Sequence, residues 1–219
     1  MNVKVRGVYD LDLFRYLRKA GINHFAFDLR PASFNFVQMR KIIEMLQNER
    51  EGKETFSFMF ASEKDFVIEQ LMVHVRRNAL LDEKNCYLEF TDSENLAECE
   101  KFGLPYIWHF KDSFNYRKIR NSKSLSGVSF SYEYLESLRE SNQLYPFIKE
   151  FINIKREDQW IDLRLDWSDH LSESVTDFMP AQVFSYEINQ KVEESYRRVD
   201  MNLVGSHLEH AKRILNLDA

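Results

Sequence analysis

The sequence predicts an α/β protein with the (β/α)8 or TIM-barrel fold, formed by a single domain over residues 1–219. Strand-like runs alternate with helical patterns, and repeated βα units imply a parallel sheet. Eight such runs within 219 residues suit a compact barrel. Several runs alternate apolar and polar residues, as expected when one face meets helices and the other points inward. A doubly wound open sheet is the alternative, but its usual glycine-rich first turn does not follow Val8.

The elements are predicted in order from hydrophobic periodicity and flanking turn residues. The strand-like runs are 3–8, 24–29, 55–60, 86–90, 106–110, 160–166, 182–186 and 199–203. Helical patterns cover 10–20, 36–48, 64–77, 95–102, 189–196 and 207–215.

Residues 111–158 form a longer segment after the fifth predicted strand. It contains the Ser/Asn-rich stretch NSKSLSG and helical patterns near 132–141 and 146–154. We therefore expect a helical insertion, or an extended fifth βα unit. Its aromatic residues either pack on the barrel or form an exposed patch, and a patch would imply a protein partner or a homodimer.

Composition and charge exclude several classes of function. A net charge of -5 gives no general attraction to nucleic acid or to an anionic membrane. No apolar run approaches the roughly 20 residues of a membrane span, and no signal peptide is recognised. Cys86 and Cys99 are expected to be free thiols in a reducing compartment, so we predict a cytoplasmic location. No metal or cofactor motif is found, and none is expected.

Charged residues occupy the predicted inner face of the strands. In the first run, Lys4 and Arg6 alternate with valines. Because buried charge is tolerated only when it is paired, both cations should lie opposite carboxylates of neighbouring strands. The deeper inward positions are Lys4, Asp162 and Arg164. The positions near the carboxyl ends, where barrel active sites lie, are Arg6, Glu89, Asp166 and Asn202.

Three motifs occur in a familiar order. The chain opens VKVRGV, residues 31–37 read PASFNFV, and VDMNLVG lies near the C-terminus. This pattern resembles phosphoribosylanthranilate isomerase of tryptophan biosynthesis, whose members have a lysine-containing first strand ending in Cys-Gly. They also have a Pro-x-Ser-Pro-Arg-Tyr-Val-like loop and a late Val-Asp-Val-Ser-Ser-Gly. The resemblance implies a TIM barrel and an Amadori-type aldose–ketose isomerase.

The resemblance also implies site residues, and several have changed. The reaction needs a general acid and a general base. The family's acid is an Asp at the end of strand six, which corresponds to Asp166, or to Asp162 in a shifted register. Its base is the Cys at the end of strand one, where this chain has Arg6, a permanent cation. The loop arginine is replaced by Asn35. Tyr87 and Glu89 stand where the family has Gln-x-His on strand four.

The phosphate site is altered as well. Glycine-rich turns after strands seven and eight normally hold the phosphate. After the predicted seventh strand the sequence SYEI has no glycine and adds Glu187. Gly205 and Ser206 remain as an anion site, or they are an ordinary loop glycine and a serine N-cap.

These changes predict a divergent, pseudoenzyme-like relative that lacks the isomerase activity. One alternative is an altered sugar-phosphate isomerase with Asp166 and Glu89 as acid and base. Another is an active isomerase whose base has moved to Asp28 or Glu89. The expected ligand is a small anion, a phosphate or a carboxylate. The candidate ligand-binding residues are Arg6, Asn35, Asn202, Gly205 and Ser206.

Overall fold

A closed barrel of eight parallel strands forms the centre of the computed structural model, with the strands in sequence order. The structure describes residues 2–49, 52–61, 65–77, 83–91, 99–111, 117–167 and 178–214. The barrel strands are β1 (Asn2–Arg6), β2 (His24–Asp28), β3 (Thr55–Phe60), β4 (Cys86–Phe90), β5 (Tyr106–His109), β6 (Leu125–Ser131), β7 (Trp160–Leu165) and β8 (Val183–Glu187). The predicted (β/α)8 fold is confirmed.

Helices cover the outside of the barrel. In the described residues they are α1 (Leu11–Lys19), α2 (Met39–Glu49), α3 (Asp65–Arg77), α4 (Arg117–Asn121), α5 (Tyr132–Glu140), α6 (Leu144–Ile154) and α7 (Met201–Ile214). Asp10 caps α1 by accepting a hydrogen bond from the Leu13 amide. Residues 95–98, the first half of the predicted helix 95–102, lie outside the described residues. None of the described helices is long and apolar enough to cross a membrane.

Two strand assignments need correction. β6 lies within residues 111–158, so the predicted insertion is an ordinary stretch of barrel that supplies the sixth strand and the helices around it. Residues 160–166 and 182–186 are therefore the seventh and eighth strands. The predicted strand 199–203 is wrong, because Asp200 instead accepts hydrogen bonds from the Asn202 and Leu203 amides at the start of α7.

The predicted helix 189–196 is also wrong. A 3-10 turn, Gln190–Val192, leads into a short antiparallel hairpin. The hairpin consists of β9 (Glu193–Ser195) and β10 (Arg198–Val199).

The apolar faces of the strands pack beneath the helices, and many of the phenylalanines lie there. Phe14 of α1 meets the Phe25 ring edge-on, with centroids 4.7 Å apart. On the other side of the barrel, Phe151 of α6 packs against Phe130 of β6 at 4.9 Å. In α5 and α6 the aromatic residues therefore pack mainly on the barrel, although Tyr145 is 59% exposed.

Neutral side chains fill the amino end of the barrel and form its floor. His24 Nε2 lies 3.1 Å from Ser57 Oγ. The Trp160 ring lies edge-on to His24 and to Tyr87, with centroids 6.2 Å and 5.9 Å away. Gly127 makes room for this indole, because a Cβ at that position would lie 2.8 Å from the ring. The charged side chains inside the barrel lie instead toward the opposite, carboxyl end, where Arg6 and Glu187 end their strands.

Candidate functional site

Arg6, the last residue of β1, lies in the mouth of the barrel and is 4% exposed. Its Nε is 3.4 Å from Glu89 Oε1, and its Nη1 is 3.3 Å from Glu187 Oε2. Burial opposes the charge of Arg6, but the carboxylates of Glu187 and Glu89 outweigh that cost and raise its pKa. This guanidinium stays protonated and cannot act as a base.

Glu89 is the centre of a buried network at the end of β4. Lys4 Nζ donates to Glu89 Oε2 at 2.7 Å, and His109 Nε2 donates to Oε1 at 2.7 Å. Burial tends to raise the pKa of Glu89, but Lys4, Arg6 and the His109 hydrogen bond hold it well below its usual value. Such a carboxylate keeps its charge at neutral pH and has no proton to donate. The arrangement disfavours Glu89 as a general acid or base.

His109, on β5, is the neutral member of this network. Burial and then the charge of Arg164 hold the pKa of His109 well below its usual value, although Glu89 opposes this effect.

The prediction that Lys4 and Arg6 face carboxylates of neighbouring strands is confirmed for Arg6, which pairs with Glu187 of β8. It is wrong for Lys4, because its partners Glu89 and Asp162 lie on β4 and β7, which do not adjoin β1.

Asp162 is fully buried on the inner face of β7. Its Oδ2 accepts a hydrogen bond from Ser129 Oγ at 2.9 Å and lies 3.4 Å from Lys4 Nζ. Asp166 follows the same strand, where its side chain is 33% exposed and lies 3.0 Å from Lys191 Nζ. Asp162 is therefore part of the internal network, whereas Asp166 lies at the rim of the mouth.

The corrected strand count removes both candidates for the general acid from strand six. Asp162 lies in strand seven and Asp166 directly follows it, whereas the resemblance places the acid at the end of strand six. The inner face of β6 pairs Ser129 with Asp162 and Ser131 with Arg164. Strand six thus ends in serine hydroxyls, which do not act as acids near neutral pH.

The sequence SYEI forms the end of the eighth strand and does not follow the seventh, and Glu187 is the last residue of β8. Asn35 is buried beside it. Its Nδ2 donates to the Ile188 carbonyl at 2.6 Å and lies 3.5 Å from Glu187 Oε1. Gly7, with φ of 74°, leaves space for Asn35, since a Cβ there would collide with the amide. Asn35 therefore ties the loop after β2 to the end of β8.

Asp28 ends β2 and is chelated by Arg30. Arg30 Nη2 donates to Asp28 Oδ2 at 2.6 Å, and its Nε donates to Oδ1 at 2.8 Å. Because Arg30 binds both oxygens of Asp28, this carboxylate is not available as the displaced base considered in the sequence analysis.

Three predicted ligand residues lie away from this cluster, in α7. The side chains of Asn202 and Ser206 are exposed on the helix. Gly205 faces Tyr16 of α1, where any side chain would collide with the phenol oxygen. Gly205 therefore serves the packing of α7 on α1.

A cavity of about 210 Å³ opens between β1, β6, β7 and β8. Among the described residues it is lined by Arg6, Ser131, Tyr132, Glu133, Arg164, Leu165, Asp166, Glu187 and Asn189. Within the described ranges, no group of three or more His, Cys, Asp or Glu residues is placed to hold a metal ion.

Arg164 is a lining residue that the sequence predicts among the deeper positions, and not among the ligand-binding residues. Its Nε is buried without a hydrogen-bond partner, and no ion pair to it is found within the described part of the chain. Burial and then the charge of Arg6 lower the pKa of Arg164 to about 10. The alternation in WIDLRLD predicts that Arg164 lies on the inner face of the barrel. Its position at the mouth follows from the register of β7 with β6 and β8, which the sequence does not give.

Models of protein families give no match to this chain, and neither do curated proteins. Solved structures do match. The fold is shared with phosphoribosylanthranilate isomerases. The enzyme from Thermotoga maritima is 14% identical with a TM-score of 0.68, covering 97% of this chain and 98% of that one. The enzyme from Thermus thermophilus is 13% identical with a TM-score of 0.67, covering 96% and 100%. The resemblance seen in the sequence thus extends, as a fold, over the whole barrel.

Proposed function

We propose that this chain is a divergent relative of phosphoribosylanthranilate isomerase that has lost the isomerase reaction and binds a small anionic molecule in its mouth. The observation that carries the proposal is Arg6, at the end of β1, ion-paired with Glu89 and Glu187. The resemblance expects a cysteine base at this position. A guanidinium held by two carboxylates cannot remove a proton from a substrate.

The expected acid and phosphate positions support the same conclusion. β6 ends with Ser129 and Ser131 on its inner face, and neither hydroxyl protonates a sugar oxygen at neutral pH. β8 ends in Glu187, which repels a phosphate dianion. The chain therefore differs at the base, the acid and the phosphate loop together.

The remaining cavity supports a binding role. Arg6 and Arg164 both line it. Guanidinium groups are suited to planar, bidentate recognition of carboxylate and phosphate groups. An anion bound there would compensate the charge of Arg164.

A second candidate is an altered acid–base enzyme, favoured by Asp166, which lines the same cavity as Arg6. Its proposed partner Glu89 does not line the cavity and is fully buried. Proton transfer between both carboxylates and one substrate would therefore need a rearrangement of the network, which makes this candidate the weaker one.

The test is turnover of freshly prepared phosphoribosylanthranilate, followed by its fluorescence. We expect no turnover by the wild type, and none by Arg6→Cys, because a restored base still lacks an acid on strand six. Circular dichroism would show that both proteins are folded. Turnover by the wild type above the uncatalysed rate would overturn the proposal. Turnover by Arg6→Cys alone would show that one residue disables the site.

A further inference from the structure

The walls of the cavity combine both signs of charge. Arg6 and Arg164 supply the cations, and Glu133, Asp166 and Glu187 supply carboxylates. A phosphate dianion would meet repulsion from these acids, whatever it gained from the arginines. The lining chemistry instead suits a ligand with an anionic end and a cationic end.

We infer that the cavity takes a small amino carboxylate, with its carboxylate against Arg164 and Arg6 and its ammonium group against Asp166. This inference rests on the proposed binding function and names the class of ligand. It differs from a sugar-phosphate site, because the wall carboxylates become attractive only when the ligand carries a cation.

Arg164 is the anchor for the carboxylate. Its Nε is buried without a partner, and the described residues offer it no ion pair. Arg6 is already bound on two sides, 3.4 Å from Glu89 and 3.3 Å from Glu187. Burial first, and then repulsion by the Arg6 guanidinium, lower the pKa of Arg164. A carboxylate between the two guanidiniums relieves that repulsion.

Asp166 is the wall carboxylate best placed to accept the ammonium group. Its pair with Lys191 is a rim pair in which the lysine side chain is 51% exposed, and such pairs contribute little. Glu187, by contrast, is held by Arg6 and lies 3.5 Å from the Asn35 amide. If the ligand's ammonium group replaces that of Lys191 at Asp166, the buried pair of Arg6 and Glu187 stays intact.

Size limits the ligand further. The cavity measures about 210 Å³. That lies below the roughly 300–1,000 Å³ of typical drug-sized sites. An amino acid with a short side chain fits the space, whereas an anthranilate joined to a ribose phosphate is far larger.

Isothermal titration calorimetry with matched probes tests the inference. L-alanine, propionate and ethylamine present both charged groups, the carboxylate alone and the amine alone, and inorganic phosphate is the fourth probe. We expect L-alanine to bind about tenfold more tightly than propionate, since a charge-assisted hydrogen bond contributes at least that factor. Ethylamine and phosphate should bind more weakly than L-alanine.

Variants assign the two ends of the ligand. Arg164→Gln should weaken L-alanine and propionate alike. Asp166→Asn should remove the preference for L-alanine and leave propionate binding intact. Arg139→Gln, a change on the exposed face of α5, is the matched control and should alter neither affinity.

The outcomes separate the two proposals. Propionate or phosphate binding as tightly as L-alanine would overturn the inference and leave the proposed anion-binding function standing, as would an unchanged preference in Asp166→Asn. Binding of no probe by the wild type would overturn both. Turnover of phosphoribosylanthranilate would overturn the loss of isomerase activity on its own.

Discussion

Buried charges are compensated by partner residues on one side of the barrel mouth but not on the other. On the paired side, formed by Asp28, Arg30, Glu89 and His109, each carboxylate is bound by cationic or neutral donors. On the open side, the described residues give Arg164 no ion pair, and a cavity of about 210 Å³ adjoins it. Buried charge is costly unless it is compensated. The paired side is thus compensated by the protein's own residues, whereas the open side is where we propose that a ligand binds.

The largest expected effect is on the paired side. Glu89→Gln removes the carboxylate that lies against both Lys4 and Arg6. Within the described residues, Lys4 then keeps only the longer contact to Asp162, and Arg6 keeps only Glu187. Loss of the shared buried carboxylate should lower the free energy of unfolding by about 3–5 kcal/mol, measured by urea denaturation.

Glu194→Gln, which breaks an exposed pair, is the control and should change the free energy of unfolding by less than about 1 kcal/mol. A loss in Glu89→Gln no larger than the control would contradict the network.

The next effect depends on pH. Burial and the charge of Lys4 lower the pKa of His24 to about 3, and the pKa of His109 is also well below its usual value. Below pH 6.5 the unfolded chain binds protons at both histidines while the folded protein does not, so stability falls as pH falls. Each histidine contributes up to about 1.4 kcal/mol per pH unit.

Substitution at one of the two histidines measures its share. His109→Gln should reduce the slope of unfolding free energy between pH 6.5 and 4.5 by one proton, whereas His210→Gln, on the exposed face of α7, should leave it unchanged. An unaltered slope in His109→Gln would mean that His109 is charged in the folded protein.

A smaller effect is expected at the edge of the paired side. Asp28→Asn weakens the chelate with Arg30, whose side chain is 23% exposed. The loss should be about 2 kcal/mol in thermal or chemical denaturation, as for a hydrogen bond to a charged group. Stability equal to that of the wild type would show that solvent satisfies Arg30 without the carboxylate.

The smallest effect is expected on the open side. Arg164→Leu removes a cation whose pKa burial and Arg6 lower to about 10. The free energy of unfolding should change by less than about 1 kcal/mol, or rise. The matched substitution Arg6→Leu leaves Glu89 with Lys4 as its cation but removes the 3.3 Å pair of Glu187, and it should cost about 3 kcal/mol. Equal losses in both variants would remove the distinction between the two sides.

The inner face of the barrel could be predicted from the sequence because period-two alternation is a local property. Lys4, Arg6, Glu89 and Asp162 all lie where VKVRGV, CYLEF and WIDLRLD placed them. Which of these residues pair could not be predicted, since pairing depends on the register of strands distant in sequence.

β6 could not be found from its own residues. LSGVSFS lacks a long apolar run, and its glycine reads as a turn signal. Gly127 is there because the indole of Trp160 on the next strand packs over it. The opposite error occurred at residues 199–203, where alternation imitated a strand although Asp200 is the cap of α7. The missed β6 shifted the numbering of the later strands, and with it the expected acid, while the false strand at 199–203 kept the total at eight.

The seam between β1 and β8 has a consequence for how the chain folds. β1 pairs with β8 along its whole length, from Asn2 opposite Val183 to Arg6 opposite Glu187. The Asn35 amide donates to the Ile188 carbonyl, which lies 153 residues away in the sequence. Contacts this distant form slowly, and the barrel closes only after the chain has been synthesised as far as β8. Until then one edge of β1 lacks its partner. Charged side chains at alternate positions of a strand disfavour association through an unpaired edge. Lys4 and Arg6 therefore oppose aggregation of the first strand before their ion pairs with carboxylates have formed.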